Sequence, residues 1–526
     1  MGTYLNPGAD KFQRALNSEI YVDKSLLISY TNKVFYTNQQ YLCVSRPRRF
    51  GKSLTADMIS AYYDKSADSD DLFHGLKIST CDTFEKYLNN YDVIKINIQD
   101  FLSGTSNLSE LIRRLREVVI RELIKEYPSV DYFDKSDMIE CLQDIYNENH
   151  KPFVIIIDEW DCIFREYPHD DEAQRAYLDF LRAWLKDKAY IGLVYMTGIL
   201  PIKKYGTNSA LNMFTEISME KPGKLAEYTG FTEQEVEKLA EKYNIDMMEC
   251  QKWYDGYSFP ECSHIYNPDS IVKAMNTGIL DDYWNQTETY EALKQYINLN
   301  YDGLRDSIIK LMSGERVKIE TGSFQNDMTN FNNSDDVMTL LIHLGYLGYD
   351  YTNGEVFIPN REIMKEFATA IVANKGWNEI ADAIKDSDSL LSATWNFDES
   401  LVAEYLSKAH FETSTLQYND ENALSYTVSL AYFSARKYYT VVRELPSGKG
   451  FADLAFVPRR NCPDKPAMIV ELKWDKAAST AINQIREKNY PRPLQDYRDN
   501  IILVGIVYDR KTKEHKCKIE KLTEQA

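Results

Sequence analysis

The sequence predicts an α/β protein: a doubly wound, mostly parallel sheet, then a mainly helical middle region, then a second, smaller α/β domain. Three observations carry that expectation. Residues 41–63 read as a short apolar strand, a basic loop ending in Gly51-Lys52-Ser53 and an amphipathic helix. Phe153–Ile157 is an unbroken apolar run that ends in Asp158-Glu159. The last quarter reads helix–strand–strand–strand–helix–strand, with an acidic residue and a Glu-x-Lys on adjacent strands.

Bulk properties bound the function. A chain of 526 residues has room for about three domains of roughly 150 residues each. Its net charge of −19 argues against a broadly basic nucleic-acid coat. A local basic groove remains compatible with that charge, because phosphate is contacted by patches and not by averages. The eight Cys residues are scattered with no Cys-x-x-Cys, so neither a disulfide framework nor a zinc site is expected, and reduced thiols in a cytoplasmic protein are the plain reading. The first residues, Met-Gly-Thr-Tyr-Leu-Asn, lack the pattern of a signal peptide, and the apolar runs are too short to cross a bilayer, so no membrane partner is expected.

In the stretch Arg46-Pro47-Arg48-Arg49-Phe50-Gly51-Lys52-Ser53-Leu54 the Gly-Lys-Ser at a helix start is suited to phosphate. Backbone N–H groups at the helix N-terminus face an anion, Lys52 adds charge toward the β/γ-phosphates, and the Ser53 hydroxyl is a Mg²⁺ ligand. The pattern Gly-x-x-x-x-Gly-Lys-Ser has Arg46 where the first Gly belongs, a residue that adopts positive φ only at a cost. Leu54, Met58, Ile59 and Tyr62 are expected on one helical face. Upstream, Asp23 reads equally as a helix N-cap or a nucleotide contact.

Val93–Ile98 reads as a strand and Leu108–Tyr127 as a helix, and strands alternating with helices give a parallel sheet. Phe153–Ile157 then reads as a strand buried on both faces, with carboxylates at the sheet's carboxyl edge, where such sheets bind ligands. Asp158 is placed to hold Mg²⁺ and Glu159 to polarise the water that attacks a γ-phosphate. A third strand, Ile191–Met196, ends at Thr197, which reads as a γ-phosphate sensor or as a turn-capping Thr.

Tyr21-Val-Asp-Lys-Ser25, Ser45-Arg-Pro-Arg-Arg-Phe-Gly-Lys-Ser-Leu54 and Ile156-Ile-Asp-Glu-Trp-Asp161 resemble the bacterial AAA-ATPase-like family, predicted P-loop ATPases followed by a PD-(D/E)xK nuclease-like module. Its loop also begins Arg-Pro-Arg-Arg-Phe, so the resemblance makes the missing glycine a normal form. The likeness extends to the wider class of signal-transducing ATPases with numerous domains. It implies a P-loop NTPase domain over 1–220, a helical lid and winged-helix-like region over 221–390, and a restriction-endonuclease-like domain over 391–526. It also implies that residues 46 and 48–54, with Asp158 and Thr197, face ATP.

In the middle region, Thr232 and Glu235 form a capping box opening a helix to about Tyr243, and Asn267-Pro268 opens another to about Met275. Trp253–Tyr257 reads as a turn carrying core aromatics, and short strands are expected near Tyr349–Ile358.

In the last quarter, period-two geometry puts Glu471 and Lys473 on one strand face. If the preceding strand pairs with theirs, Asp453 lies opposite, and two carboxylates converge on a divalent cation, the Leu472 carbonyl being a further ligand. A metal there polarises a phosphodiester and its bound water, while an ammonium orients that water. The resemblance adds Glu421, Gln484 and Tyr490 as accessory positions. Arg459-Arg460, Arg486, Lys488 and the 510–518 run could contact phosphates, although that last run fits a solvated hairpin better.

The function expected is an ATP-binding and ATP-hydrolysing protein whose nucleotide state controls a Mg²⁺-dependent nuclease acting on DNA or RNA. The alternative is a nucleotide-dependent switch or interaction protein whose nuclease-like domain binds nucleic acid, a protein partner or another copy without cutting.

Overall fold

The computed structural model describes all residues except 1, 106, 206–207, 285–288, 300, 414–420, 448–449, 460–461, 476–477, 488–493, 495–496, 498–499, 510–511, 513 and 523–526. The backbone alone is described at 205, 208–209, 289–292, 379, 410–413, 421–423, 444–447, 450–451 and 487. The chain forms two compact units, one of Met1–Gln286 with Lys318–Ile363 and one of Thr287–Val317 with Met364–Ala526.

The first unit is organised by five parallel strands: β1 (Tyr41–Ser45), β2 (Val93–Asn97), β3 (Phe153–Asp158), β4 (Ile191–Gly198) and β5 (Thr215–Ile217). Their order is β2-β3-β4-β1-β5. Every residue of β1, β3 and β4 is buried, so both faces of the central sheet are covered. One face packs Leu42, Val44, Val154, Ile156, Leu193 and Tyr195 against the helix that follows the loop, α1 (Lys52–Tyr63). Parallel neighbours need long crossovers, which the intervening helices supply. The register aligns Val44 with Thr197, Ile157 with Met196, and Asn97 with Asp158. The ends of β1, β3 and β4 therefore form one carboxyl edge.

On α1, Met58, Ile59 and Tyr62 are buried, and Leu54 is 37% exposed. The middle region is mainly helical, as expected. Glu233–Tyr243 opens on the Thr232/Glu235 capping box, and Pro268–Thr277 opens on Asn267, whose side chain accepts from the Asp269 N–H at 2.9 Å. Trp253–Tyr257 is not a simple turn. Tyr254 closes a helix and Tyr257 opens a strand that pairs with Cys262–Tyr266, since alternating Tyr257 and Phe259 bury one side of the hairpin.

The second unit holds a mixed sheet of β6 (Tyr439–Ser447), β7 (Gly450–Pro458), β8 (Ala467–Trp474), β9 (Ile501–Asp509) and β10 (Glu514–Lys521), in that spatial order. Only β8 and β9 run parallel, and the helix Ala478–Glu487 lies in their crossover. That helix seats on Gly505, where a β-carbon would stand 2.8 Å from the Ala478 carbonyl oxygen. The opposite face packs Leu454, Val470, Leu472 and Val504 against Leu424 and Val428 of Glu421–Ala431. Among the described residues no helix is long and apolar enough to cross a membrane.

Candidate functional site

The phosphate-type loop joins β1 to α1 through two left-handed residues, Arg49 (φ 69°) and Gly51 (φ 82°). Nothing lies within 4 Å of a β-carbon at Gly51, so its backbone angle and not its space calls for glycine. Arg46 is not among the positive-φ residues, so the glycine absent from the pattern is not needed there. Its side chain is fully buried and donates from Nη1 to the Ser45 and Ile217 carbonyls at 3.0 and 3.3 Å. Its guanidinium stands 5.0 Å over the Phe259 ring, and burial pulls its pKa down to about 10. Arg49 pairs with Asp269 and donates to the Tyr283 carbonyl at 3.1 Å. Phe50 packs edge-on against Tyr257, and its carbonyl accepts from Gly230 N–H at 3.0 Å. Arg46, Arg49 and Phe50 thus tie the loop to its surroundings, whereas Ser53 and Leu54 are exposed and Arg48 is half-buried.

Lys52 is buried, and its ammonium donates to the Arg46 and Pro47 carbonyls at 2.9 and 2.8 Å. Burial pulls its pKa down, and the charges of Glu159, Asp161 and Asp158 oppose that. Those carboxylates come from the end of β3 and the turn after it. Asp158 Oδ1 accepts from the Thr197 hydroxyl and from the Glu159 N–H at 3.1 Å, so Thr197 touches the very carboxylate that the register sets beside it. Asp23 is committed elsewhere, accepting from the Ser25 and Lys77 N–H groups at 2.8 Å each.

Three residues of this edge carried no role in the sequence reading. Asp161 is fully buried, and its Oδ2 accepts from the Ile199 and Leu200 N–H groups at 3.0 and 2.9 Å, fastening the turn after β3 to the end of β4. Arg165 donates to Glu159 Oε2 at 2.5 Å. Gly198 leaves no room for a side chain, because a β-carbon would stand 2.6 Å from Asp161 Oδ1 and from the Trp160 indole. The i,i+4 spacing of Asp161 and Arg165 was the one available signal. Glu159 itself has a left-handed backbone (φ 52°), and burial pushes its carboxyl pKa up, with Asp161 adding and Lys52 and Arg165 opposing.

In the second unit the β7–β8 ladder runs through Phe456–Met468 to Leu454–Val470. One step further along that register Asp453 meets Glu471. There the Leu472 N–H donates to Asp453 Oδ2 at 2.6 Å, a side chain taking the place of a ladder partner. Glu471 is fully buried, and Lys473 Nζ lies 3.0 Å from its Oε1. The Leu472 side chain is in the core on the other face. Gln484 is half-buried on the following helix; the Glu421 side chain and Tyr490 lie outside the described residues, as do Arg460, Lys488 and Arg510. Arg459 is buried, Arg486 pairs with Glu520 at 2.6 Å, and Lys518 pairs with Glu399 at 3.0 Å. The 514–521 strand pairs with β9 as a hairpin.

The donor sets fit Mg²⁺ better than a closed protein cage. Among the described residues no three His, Cys, Asp or Glu side chains gather as a metal site. Mg²⁺ needs only one or two carboxylates, with water and phosphate oxygens completing its octahedron. Asp158 with the exposed Ser53, and Asp453 with Glu471, are sets of that kind.

Residues 7–207 match the family model described as predicted AAA-ATPase, and residues 420–518 match that of the PD-(D/E)XK nuclease superfamily. A protein of Azotobacter chroococcum mcd 1, described as an uncharacterized protein in vnfD 5'region, is 24% identical over 280 residues, 51% of this chain and 51% of its own length. The chain thus spans about half the length of that curated relative. Similar solved structures include the Aeropyrum pernix ORC2 protein, at 12% identity over 68% of this chain and 98% of that one, with a TM-score of 0.28. Cdc6p from Pyrobaculum aerophilum matches at 8% identity over 69% and 94%, with a TM-score of 0.21.

Proposed function

From an AAA-ATPase-like N-terminal domain and a PD-(D/E)XK nuclease-superfamily C-terminal domain on one chain, we propose an ATP-hydrolysing protein whose nucleotide state controls a Mg²⁺-dependent nuclease acting on DNA or RNA. The observation that carries the first half is the shared carboxyl edge, where Lys52, Asp158, Glu159 and Thr197 gather. Lys52 and the N–H groups opening α1 hold phosphate, and Ser53 and Asp158 hold the cation. Thr197 orients Asp158, and Glu159 takes the proton of the attacking water. When bound, Mg²⁺ neutralises phosphate charge.

Asp453, Glu471 and the Leu472 carbonyl hold the second cation, and Lys473 orients water or the developing anion. Gln484, with Glu421 and Tyr490, supports that site. Division into 1–220, 221–390 and 391–526 and a cytoplasmic location belong to the same proposal.

The test is ATP turnover by wild type, Lys52→Ala and Glu159→Gln, beside Mg²⁺-dependent cleavage of DNA and RNA with and without ATP by wild type and Asp453→Ala. Turnover by wild type that is lost in Lys52→Ala and Glu159→Gln, and cleavage lost in Asp453→Ala, support the proposal; equally inert wild type and Asp453→Ala on every substrate end the nuclease half. One observation favours a second reading, a switch that binds without cutting: Lys473 is already engaged by Glu471. Nucleic-acid binding without cleavage in the same assays would select it.

A further inference from the structure

Behind the carboxyl edge of the N-terminal sheet lies a second row of residues on the same face, and two of its members are polar. The parallel register sets Asn97 beside Asp158, and Thr197 touches Asp158 from the other side, so these three form the front row on β2, β3 and β4. Two residues back on each strand, and therefore on the same side of the sheet, stand Lys95, Ile156 and Tyr195. That is the side α1 covers, since Ile156 and Tyr195 share a core cluster with Ile59 and Tyr62.

The helix α1 meets this second row through two polar links. The Lys95 ammonium pairs with Asp57, and the Tyr195 hydroxyl lies 3.2 Å from that of Thr55. Thr55 in turn donates to the Lys52 carbonyl at 2.7 Å, so the second link reaches the first residue of the helix. Asp57 follows Ser53 by one turn on the same helical face. The links flank Ile156 as Asn97 and Thr197 flank Asp158 one row in front.

The ion pair is shielded, with side chains 13% and 18% exposed. Burial pulls the Lys95 pKa down, Lys11 adding to this and the charges of Asp57 and Asp158 opposing it. Stability alone does not call for such a pair, because apolar side chains of similar volume often serve a shielded position as well or better. An apolar pair would lack a directional hold on the height and rotation of α1 over the strand ends.

We propose that the Lys95–Asp57 pair, with the Thr55–Tyr195 link, positions the cation site: it sets Ser53 at the start of α1 against Asp158 at the end of β3. The inference rests on the reading of Ser53 and Asp158 as the ligands of Mg²⁺ and adds the residues behind them. Lys95 and Asp57 are positioning residues, acting through those two donors.

The test reads binding, not turnover. Affinity for a fluorescent non-hydrolysable ATP analogue is titrated in Mg²⁺ and in EDTA, and the ratio of the two is the Mg²⁺ gain. The double variant Asp57→Leu/Lys95→Met removes the pair at constant net charge. Its Mg²⁺ gain should fall about 10-fold or more, the scale for groups that orient a metal ligand from behind, with affinity in EDTA within about twofold of wild type. Tyr195→Phe should lower the gain less, by about threefold, and Lys95→Arg, which keeps the pair, should leave it near wild type. In an Asp158→Asn background the double should cost nothing further, because the donor it positions is gone.

A folded double variant with an unchanged Mg²⁺ gain overturns the proposal. So does an equal loss of affinity in Mg²⁺ and in EDTA, which a merely structural pair would give. If the double does not fold, Tyr195→Phe decides alone, and an unchanged gain there overturns the proposal. The wild-type arm separates the parent reading: no Mg²⁺ gain in wild type ends the cation role of Ser53 and Asp158 and this inference with it, whereas an equal gain in wild type and double ends this inference only.

Discussion

At the N-terminal edge Asp158 and Glu159 follow one another at the end of a single strand in a parallel sheet, and their cations come from elsewhere, Lys52 across the loop and Arg165 from the next helix. At the C-terminal site Asp453 and Glu471 come from two antiparallel strands, and the cation is on the same strand face as the second carboxylate. The first arrangement surrounds a helix N-terminus and a buried ammonium, which suit a polyanion. The second presents carboxylates from facing strands, which suits a cation first and a phosphate through it. Both bury acidic groups that would be costly alone, and each offsets that cost with a close cation.

The largest effect expected from breaking this contrast is at the proposed metal-binding pair. Asp453→Ala removes a carboxylate and also the acceptor of the Leu472 N–H. Cleavage should fall by at least about 10²–10³-fold, the scale of losing one main electrostatic element. ATP affinity should be unchanged, as read by titration of a fluorescent nucleotide. A variant that cuts at the wild-type rate would remove Asp453 from the chemistry.

Lys52→Ala is the mirror experiment. It removes a cation that now donates to two carbonyls, and one charged hydrogen-bonding group is worth roughly 1.5–3 kcal/mol. Nucleotide Kd should rise about 10- to 100-fold, while basal nucleic-acid cleavage without ATP stays within twofold. Wild-type nucleotide affinity would break the comparison at its first term.

How much of this was legible depends on how local each feature is. Gly51-Lys52-Ser53, Asp158-Glu159 and Glu471-x-Lys473 could be read because each lies within a few residues on a recognisable strand or loop. Asp453 could be set against Glu471 only on the condition that the preceding strand pairs with theirs, a condition that the β7–β8 ladder meets. Arg165, Asp161 and Gly198 were not legible in their roles, because those roles depend on β4 lying between β1 and β3, and local sequence does not encode strand order. Nor could spacing tell that the Arg46 guanidinium turns inward to the Ser45 and Ile217 carbonyls. The segment Thr287–Val317 joins the second compact unit across an intervening stretch of chain, a long-range choice of the same kind.

Gly198→Ala tests the tightness of the N-terminal edge. The added methyl would meet Asp161 Oδ1 and Trp160, both fixed in the interior, at 2.6 Å. Overpacking of this kind costs about 1–3 kcal/mol. Urea unfolding should show it, and the loss should come with a lower kcat, because the same methyl pushes on the residue that anchors β4. Equal destabilisation by an alanine at an exposed site would show that the edge is not specially tight.

A last effect is a slope, and it asks what a buried carboxyl does without a cation. Glu362 is buried and accepts from the Ser270 hydroxyl at 2.9 Å and the Tyr283 N–H at 2.8 Å, and among the described residues no Lys or Arg donates to it. Burial pushes its pKa up to about 8 from 4.5, with nearby Asp282 adding. The folded protein therefore holds this proton at neutral pH, where the unfolded chain has released it. Its stabilising contribution is full below pH 4.5 and is lost as pH rises through about 8. Across that window wild type should lose about 1.4 kcal/mol per pH unit relative to Glu362→Gln, which cannot ionise. Stability of the two proteins should therefore converge toward acid and separate toward base, with the variant the more stable at pH 8. Parallel pH profiles would mean that Glu362 finds a compensating charge, and the contrast between carboxylates with and without a cation would lose its control.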